Sequence, residues 1–367
     1  MVEQRWAWRL AALQLIHVAG WGAYYALTRM IYRGDEYFLL ALAAAETLPT
    51  AAGLLGARIA EERGYRPVLA LGIAEGLALA AAGLSLGSSR VLLWAAVFLA
   101  SMFWSIAGPQ VYAFTLTLSG GRAGPLGVVT AGATLGFSVG GGLAPLAAQL
   151  LSPRLILAAA GLGVAASYAA LLCPAEGKRP RRGAGPSAGR TRLAALVAAL
   201  YASTYVATET IGSVYLSKLA RELSPELYSL ANAGAGLVSA AARPLAGRMV
   251  DAVGPLVAPA VLAAYMVYLL ALDRAHGVVL LVLWLIPLYP FLDLSLYTVS
   301  ARLLGESLGL ALSSSAYSAA GAVLLLASRL HAQPEALALT GLALAAALSA
   351  AAAAARNNRR KPSARAL

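Results

Sequence analysis

RPLAGRMVDAVGP, residues 243–255, sets two arginines and an aspartate between two long apolar runs, with Gly247 and Gly254 at fixed offsets on either side of Asp251. The surroundings make this break stand out. The chain of 367 residues is 60% hydrophobic and 12% charged, with a mean hydropathy of +0.73. A soluble domain carries about 25% charged residues, so this composition excludes one and points to helices that cross a bilayer. A membrane helix needs roughly 20 apolar residues. Runs of that kind fall at 8–32, 36–59, 67–87, 91–118, 125–151, 153–173, 193–218, 225–249, 255–273, 276–303, 307–330 and 335–355.

Outward from the charged stretch, the clearest interruption is AEGKRPRRGAGPSAGRTR, residues 175–192, which is basic, rich in Gly and Pro, and unable to bury an apolar face. It divides the twelve runs into six and six. The expected units are a bundle over 1–174, the linker 175–192, a second bundle over 193–355 and a basic tail over 356–367. Basic residues are retained on the cytoplasmic side. With twelve spans, 20 of the 28 Lys and Arg, including Arg58, Arg63, Arg243, Arg248, the linker and the tail, fall on one side. Both termini are therefore expected in the cytoplasm of a multi-pass protein of the cell membrane. The first run has the basic flank and apolar core of a signal peptide but no small-residue cleavage site, and is expected to remain as an uncleaved helix.

The net charge of +12 sits between apolar runs, so the expected partner is the lipid bilayer and not nucleic acid. The single Cys173 excludes an intramolecular disulfide and a cysteine metal cluster. No ATP-binding signature, nucleophile motif or His/Asp metal cluster is present in the sequence. No cofactor, no metal and a monomer are expected.

In this topology the opening stretch joins the eighth and ninth runs, and GARIAEERGYRPVL, residues 56–69, joins the second and third. An offset of 190 residues lays Gly64 on Gly254 and Glu61 on Asp251, so the halves repeat each other. Internal repeats in a helical membrane protein point to a transporter. Gly247, Asp251 and Gly254, with Arg243, Pro244 and Arg248, resemble the signature loop of the major facilitator superfamily (MFS): a Gly, an Asp four residues on, and a Gly three further. The first-half copy carries Glu61 in place of Asp, and Glu62 where a basic residue is usual. The resemblance implies an all-α integral membrane protein of about 12 transmembrane helices, in two pseudo-symmetric six-helix bundles around a central cavity. It also implies that the loop controls conformational change and does not bind substrate. On physical grounds alone, the two glycines permit tight turns, Asp251 can accept from backbone amides at a nearby helix start, and Arg243 and Arg248 can pair with it.

At 100° per residue the polar and aromatic residues of every third run gather on one face. Run 1 presents Gln14, His17, Trp21, Tyr24, Tyr25 and Thr28; run 4 presents Ser101, Trp104, Ser105 and Tyr112. Run 7 presents Tyr205 and Glu209, and run 10 Tyr289, Asp293 and Tyr297. By the resemblance, these four helices line the cavity. Carboxylates within spans are expensive and need a reason to be there. Asp293 and Glu209 share faces with the aromatic stripes and are the leading proton or cation sites, Glu46 ranks next, and His17 is a candidate shuttle. Glu75 reads as structural, because the third helix of each unit is peripheral in the family. Trp21, Tyr24, Trp104, Tyr112, Tyr205, Tyr289 and Tyr297 can stack on an organic solute. With no basic residue deep in a stripe, the cavity reads as suited to neutral or cationic compounds.

Pro287 and Pro290 before Asp293, and Gly108-Pro109 in run 4, are expected to bend their helices. Glycines at 132, 136 and 140 are expected to bring run 5 close to a neighbour. The expected function is a secondary active transporter that moves a small organic solute by alternating access, coupled to protons. A membrane-embedded enzyme using the intramembrane carboxylates, or a non-transporting sensor with the same body, remain as alternatives.

Overall fold

Charges, glycines and prolines bound the apolar runs, and several helices of the computed structural model end on glycines, as α3 does at Gly64, α9 at Gly254 and α12 at Gly305. The structure describes residues 2–32, 36–180, 187–329 and 333–360. Seven helices precede the linker: α1 (Val2–Ile31), α2 (Glu36–Thr47), α3 (Gly53–Arg63), α4 (Tyr65–Ser85), α5 (Arg90–Leu118), α6 (Ala123–Ala147) and α7 (Pro153–Leu172). Seven follow it: α8 (Ser187–Glu222), α9 (Pro225–Val253), α10 (Val257–Arg274), α11 (Gly277–Trp284), α12 (Leu288–Leu304), α13 (Glu306–Arg329) and α14 (Pro334–Arg360). The described residues contain no β-strand. Part of the basic linker, with Arg181 and Arg182, and the end of the tail lie outside the described residues.

Three runs differ from their expected form, each for a local reason. The second is two helices, because Pro49 opens a 3-10 turn, Leu48–Ala52, between α2 and α3. The tenth divides into α11 and α12 around Pro287, which cannot donate to the ladder. Pro290, in contrast, falls in the first turn of α12, where a missing donor is harmless. The eighth does not end at 249. Helix α9 runs on through Pro244 to Val253, so most of the expected loop 243–255 is helix. Ten described stretches are long and apolar enough to cross a membrane. Helix α9, which carries Arg243, Arg248 and Asp251, and the broken α2–α3 pair bring the passages to the expected twelve.

The packing repeats. In the first half α1 lies on α6 and α4 on α7; at the equivalent places of the second half α8 lies on α13 and α10 on α14. Between the halves, α6 packs on α9 and α3 on α13, again equivalent pairs. Gly132, Gly136 and Gly140 explain the first contact. A Cβ at each would run into the carbonyl oxygens of Ala11, Leu15 and Ala19 in turn, so α1 and α6 meet backbone to backbone. The 190-residue offset is visible in the chain path as well. Gly64 and Gly254 end α3 and α9 with φ of +89° and +80°, a conformation natural only to glycine.

Candidate functional site

A cavity of about 830 Å³ lies between the halves. Helices α1, α2, α5 and α6 wall it on one side and α8, α9, α12 and α13 on the other. The expected stripes of α1, α5, α8 and α12 all reach it: His17 and Trp21, Trp104 and Tyr112, Tyr205 and Glu209, and Tyr289, Asp293 and Tyr297. Glu46 reaches it from α2. Tyr24 does not; it is fully buried behind the wall and donates its hydroxyl to Glu46 Oε1 at 2.7 Å. The aromatic residues form a connected lining. Tyr112 stacks on Tyr297 with centroids 5.8 Å apart, Tyr201 stacks on Tyr205, and Trp21 meets Trp104 edge to face at 6.5 Å.

Arg243 is the main correction. The sequence groups it with the charged loop, but Asp251 is eight residues further along the same helix, about 12 Å away at 1.5 Å per residue. The guanidinium of Arg243 therefore enters the cavity and not the loop. Its Nη1 donates to Asp293 Oδ2 at 2.7 Å and its Nε to Thr134 Oγ1 at 2.7 Å. The charge also lies 5.8 Å from the centre of the Tyr289 ring. Arg243 and Asp293 are 6% and 7% exposed, a buried ion pair. The expectation that no cation lies deep in the cavity falls with this. So does the inference that the cavity is unsuited to anions. Arg243 pairs with Asp293 and not with Asp251.

The remaining loop residues lie where the halves meet, on one side of the cavity. Asp251 accepts from the backbone N–H groups of Ala123 and Gly124, at 2.7 and 2.8 Å, at the start of α6. Such a carboxylate complements a helix N-terminus. A Cβ at Gly247 would press on the backbone of Ala123 and Gly124, so the glycine sets how closely α9 meets α6. Arg248 is exposed, and Glu61 lies in the last turns of α3 before Gly64. Further bonds close the same side. Thr117 donates to Glu306, Ser307 donates to Gln110 Oε1 at 2.6 Å, and Ser307 also reaches the carbonyl of Ala57. Thr50 and Ser318 meet nearer the middle. These further bonds, none of them read from the sequence, join the two halves from the loop side to mid-depth.

Glu75 also departs from expectation. It is fully buried on α4, yet its Oε1 meets His17 Nε2 at 2.7 Å and accepts from Trp21 Nε1 at 2.8 Å, so it is attached to two residues of the cavity wall. The sequence also missed α6, α9 and α13 as lining helices. Besides Arg243, Phe137 and Tyr317, they contribute small hydroxyl residues such as Thr134, Ser239 and Ser313, which read equally well as helix packing.

No protein-family pattern matches the sequence, and no curated protein matches it. Solved structures do. The Escherichia coli fucose:proton symporter FucP is similar with a TM-score of 0.65 at 15% identity, covering 94% of this chain and 97% of its own. The human organic anion transporter MFSD10 (TETRAN) gives 0.71 at 18% identity, covering 95% and 99%. The proton:xylose symporter XylE, bound to 6-bromo-6-deoxy-D-glucose, gives 0.66 at 12%, covering 97% and 95%. With its apolar helices, its two repeated halves and the cavity between them, the chain is a multi-pass α-helical membrane protein with the fold of the major facilitator superfamily transporters.

Proposed function

We propose that the protein is a proton-coupled secondary transporter of a small organic solute, working by alternating access between its two halves. The observation that carries this reading is the buried Arg243–Asp293 pair on the wall of the central cavity. A carboxylate and a guanidinium buried together are electrically neutral, and separating them in a low-dielectric site is costly. Protonation of Asp293 removes the partner charge and frees Arg243 for an acceptor group on the solute, such as a carboxylate or a row of hydroxyls. A proton and a solute thereby favour each other's binding. The aromatic lining offers rings for the body of such a solute.

Glu209 and Glu46 are further proton-accepting groups on the wall. The loop-side ties of Asp251, Glu306 and Ser307 are the contacts that break when the cavity opens to that side. With that side cytoplasmic, as the distribution of Lys and Arg suggests, the closed side faces the cell interior. The structural neighbours described as sugar:proton symporters and as an organic anion transporter support solutes of these two chemistries.

The test is proton movement in proteoliposomes carrying a pH-sensitive dye, against a panel of sugars, organic acids, amines and lipophilic cations. A solute-dependent pH change that Asp293→Asn abolishes supports the reading. Solute flux with no pH change in the unsubstituted protein would remove proton coupling from it.

A further inference from the structure

Three of the five buried side-chain polar atoms that find no partner among the described residues belong to one place: His17 Nδ1, Glu75 Oε2 and the hydroxyl of Tyr168. Buried polar groups are nearly always hydrogen-bonded; the Tyr168 hydroxyl stands beside the Glu75 carboxyl and is placed to bond it with a small shift, while His17 Nδ1 has no such neighbour among the described residues, so the bonding of this cluster can rearrange with its state. The cluster joins α1, α4 and α7. Glu75 Oε1 takes the bonds from His17 Nε2 and Trp21, the edge of Tyr168 meets the His17 ring at 4.9 Å, and Tyr168 lies close enough to feel the Glu75 charge. The proposed transport mechanism does not use it.

We propose that Glu75 and His17 form a second proton-binding site, which exchanges one proton with the central cavity through His17. Glu75 and His17 are 0% and 1% exposed, and a net charge there is strongly disfavoured. With no added proton, the pair is a carboxylate beside a neutral imidazole, net negative. With one, carried on His17, it is neutral, as an imidazolium carboxylate.

No other charge nearby supplies the balance. The charged residues of the helices packed around the pair lie towards the helix ends: Arg66 on α4, Arg90 on α5, Arg154 on α7, and Glu3, Arg5, Arg9 and Arg29 on α1; α6 has none. Arg9 precedes His17 by eight residues, about 12 Å along the helix. On the cavity that His17 lines stand Glu46, Glu209 and the self-neutralised Arg243–Asp293 pair. The pair therefore holds a proton while the site stays dry and releases it when water reaches the orphaned atoms. The transfer is of a proton alone, between cavity water and the imidazole.

The inference rests on the proton-coupled reading for its purpose, but its test needs no solute, so each can fail without the other. The chain has three histidines. Histidine labelled with nitrogen-15 in nanodisc-embedded protein, with His17→Gln to identify the signal, reports whether the His17 imidazole gains and loses a proton between about pH 5 and 8. Infrared difference spectra over the same pH step report the carboxyl of Glu75. The expected result is a His17 titration in the unsubstituted protein, and a carboxyl or imidazole difference band lost in both Glu75→Gln and His17→Gln but retained in Asp293→Asn. A His17 signal that does not change with pH in the unsubstituted protein overturns the proposal, since a static hydrogen bond would behave that way. So does a difference spectrum unchanged by Glu75→Gln. The labelled unsubstituted protein decides the matter even if a variant fails to fold.

Discussion

Two buried carboxylates, one in each half, are held by nitrogen donors in opposite electrical arrangements. Asp293 is paired with Arg243, a permanent cation, and is neutral as a pair without any proton. Glu75 is paired with His17, a titratable base, and is neutral as a pair only with one proton bound. Neighbouring parts of one cavity wall can thus hold protons under different conditions, which is what a cycle that loads on one side and unloads on the other requires.

The comparison can be broken most easily at its stronger end. Asp293→Asn leaves the Arg243 charge buried and unpaired, and is expected to destabilise the protein by about 3–5 kcal/mol, as breaking other buried pairs does. Thermal unfolding in detergent measures this. Arg243→Leu combined with Asp293→Leu should recover most of the loss, because no charge is then left over. A loss in the double variant equal to that in the single one would refute the ion-pair account.

The halves can be compared next at their matched turns. Gly64→Ala and Gly254→Ala each force a non-glycine residue into an extended conformation at positive φ, at roughly 1–3 kcal/mol. A Cβ at Gly254 meets nothing within 4 Å, whereas one at Gly64 comes to 2.8 Å from the Lys178 carbonyl oxygen. Gly64→Ala should therefore be the more destabilising, and equal effects would mean that the backbone at Lys178 yields.

Asp251→Asn is expected to weaken the loop-side closure by on the order of 1 kcal/mol, since this carboxylate is exposed and screened. Hydrogen exchange at the first amides of α6 should speed up roughly fivefold, in line with 1 kcal/mol. Glu75→Gln keeps an acceptor for Trp21 and leaves no stranded charge. It should cost under about 1 kcal/mol in stability, in clear contrast to Asp293→Asn.

The smallest effect is expected at Glu222, beyond the apolar part of α8, which accepts from the backbone N–H of Gly277 and from His276. The Gly277 N–H, and then His276, hold its carboxyl below the usual carboxylate range. That contribution is present above the usual range and is lost as pH falls through the depressed value. Glu222→Gln should therefore lower stability slightly at neutral pH and leave the most acidic end unchanged, flattening the profile between the two. A loss that persists at the acidic end, where the carboxyl is protonated in either state, would mean that Glu222 acts through more than its charge.

How much of this could be read from the sequence depended on range. The twelve passages, the repeat and the stripes of α1, α5, α8 and α12 follow from the helical period, which is local. Arg243 was misread because Pro244 and the charges after it resemble the start of a loop, whereas α9 continues through them and turns Arg243 inward. Glu75 was misread because its partners, His17 and Trp21, lie 58 and 54 residues away, beyond anything a period can report. The breaks at Pro49 and Pro287 had visible causes, but whether a proline bends a helix or divides it is decided by the packing around it.

The central claim is that proton coupling runs through the Arg243–Asp293 pair, and one measurement meets it head on. The variant carrying both Arg243→Leu and Asp293→Leu is reconstituted once its thermal stability has been shown to match the unsubstituted protein, and solute-dependent proton flux is recorded in both. The account predicts a folded protein with that flux abolished. Flux retained at the unsubstituted level in the double variant would contradict it.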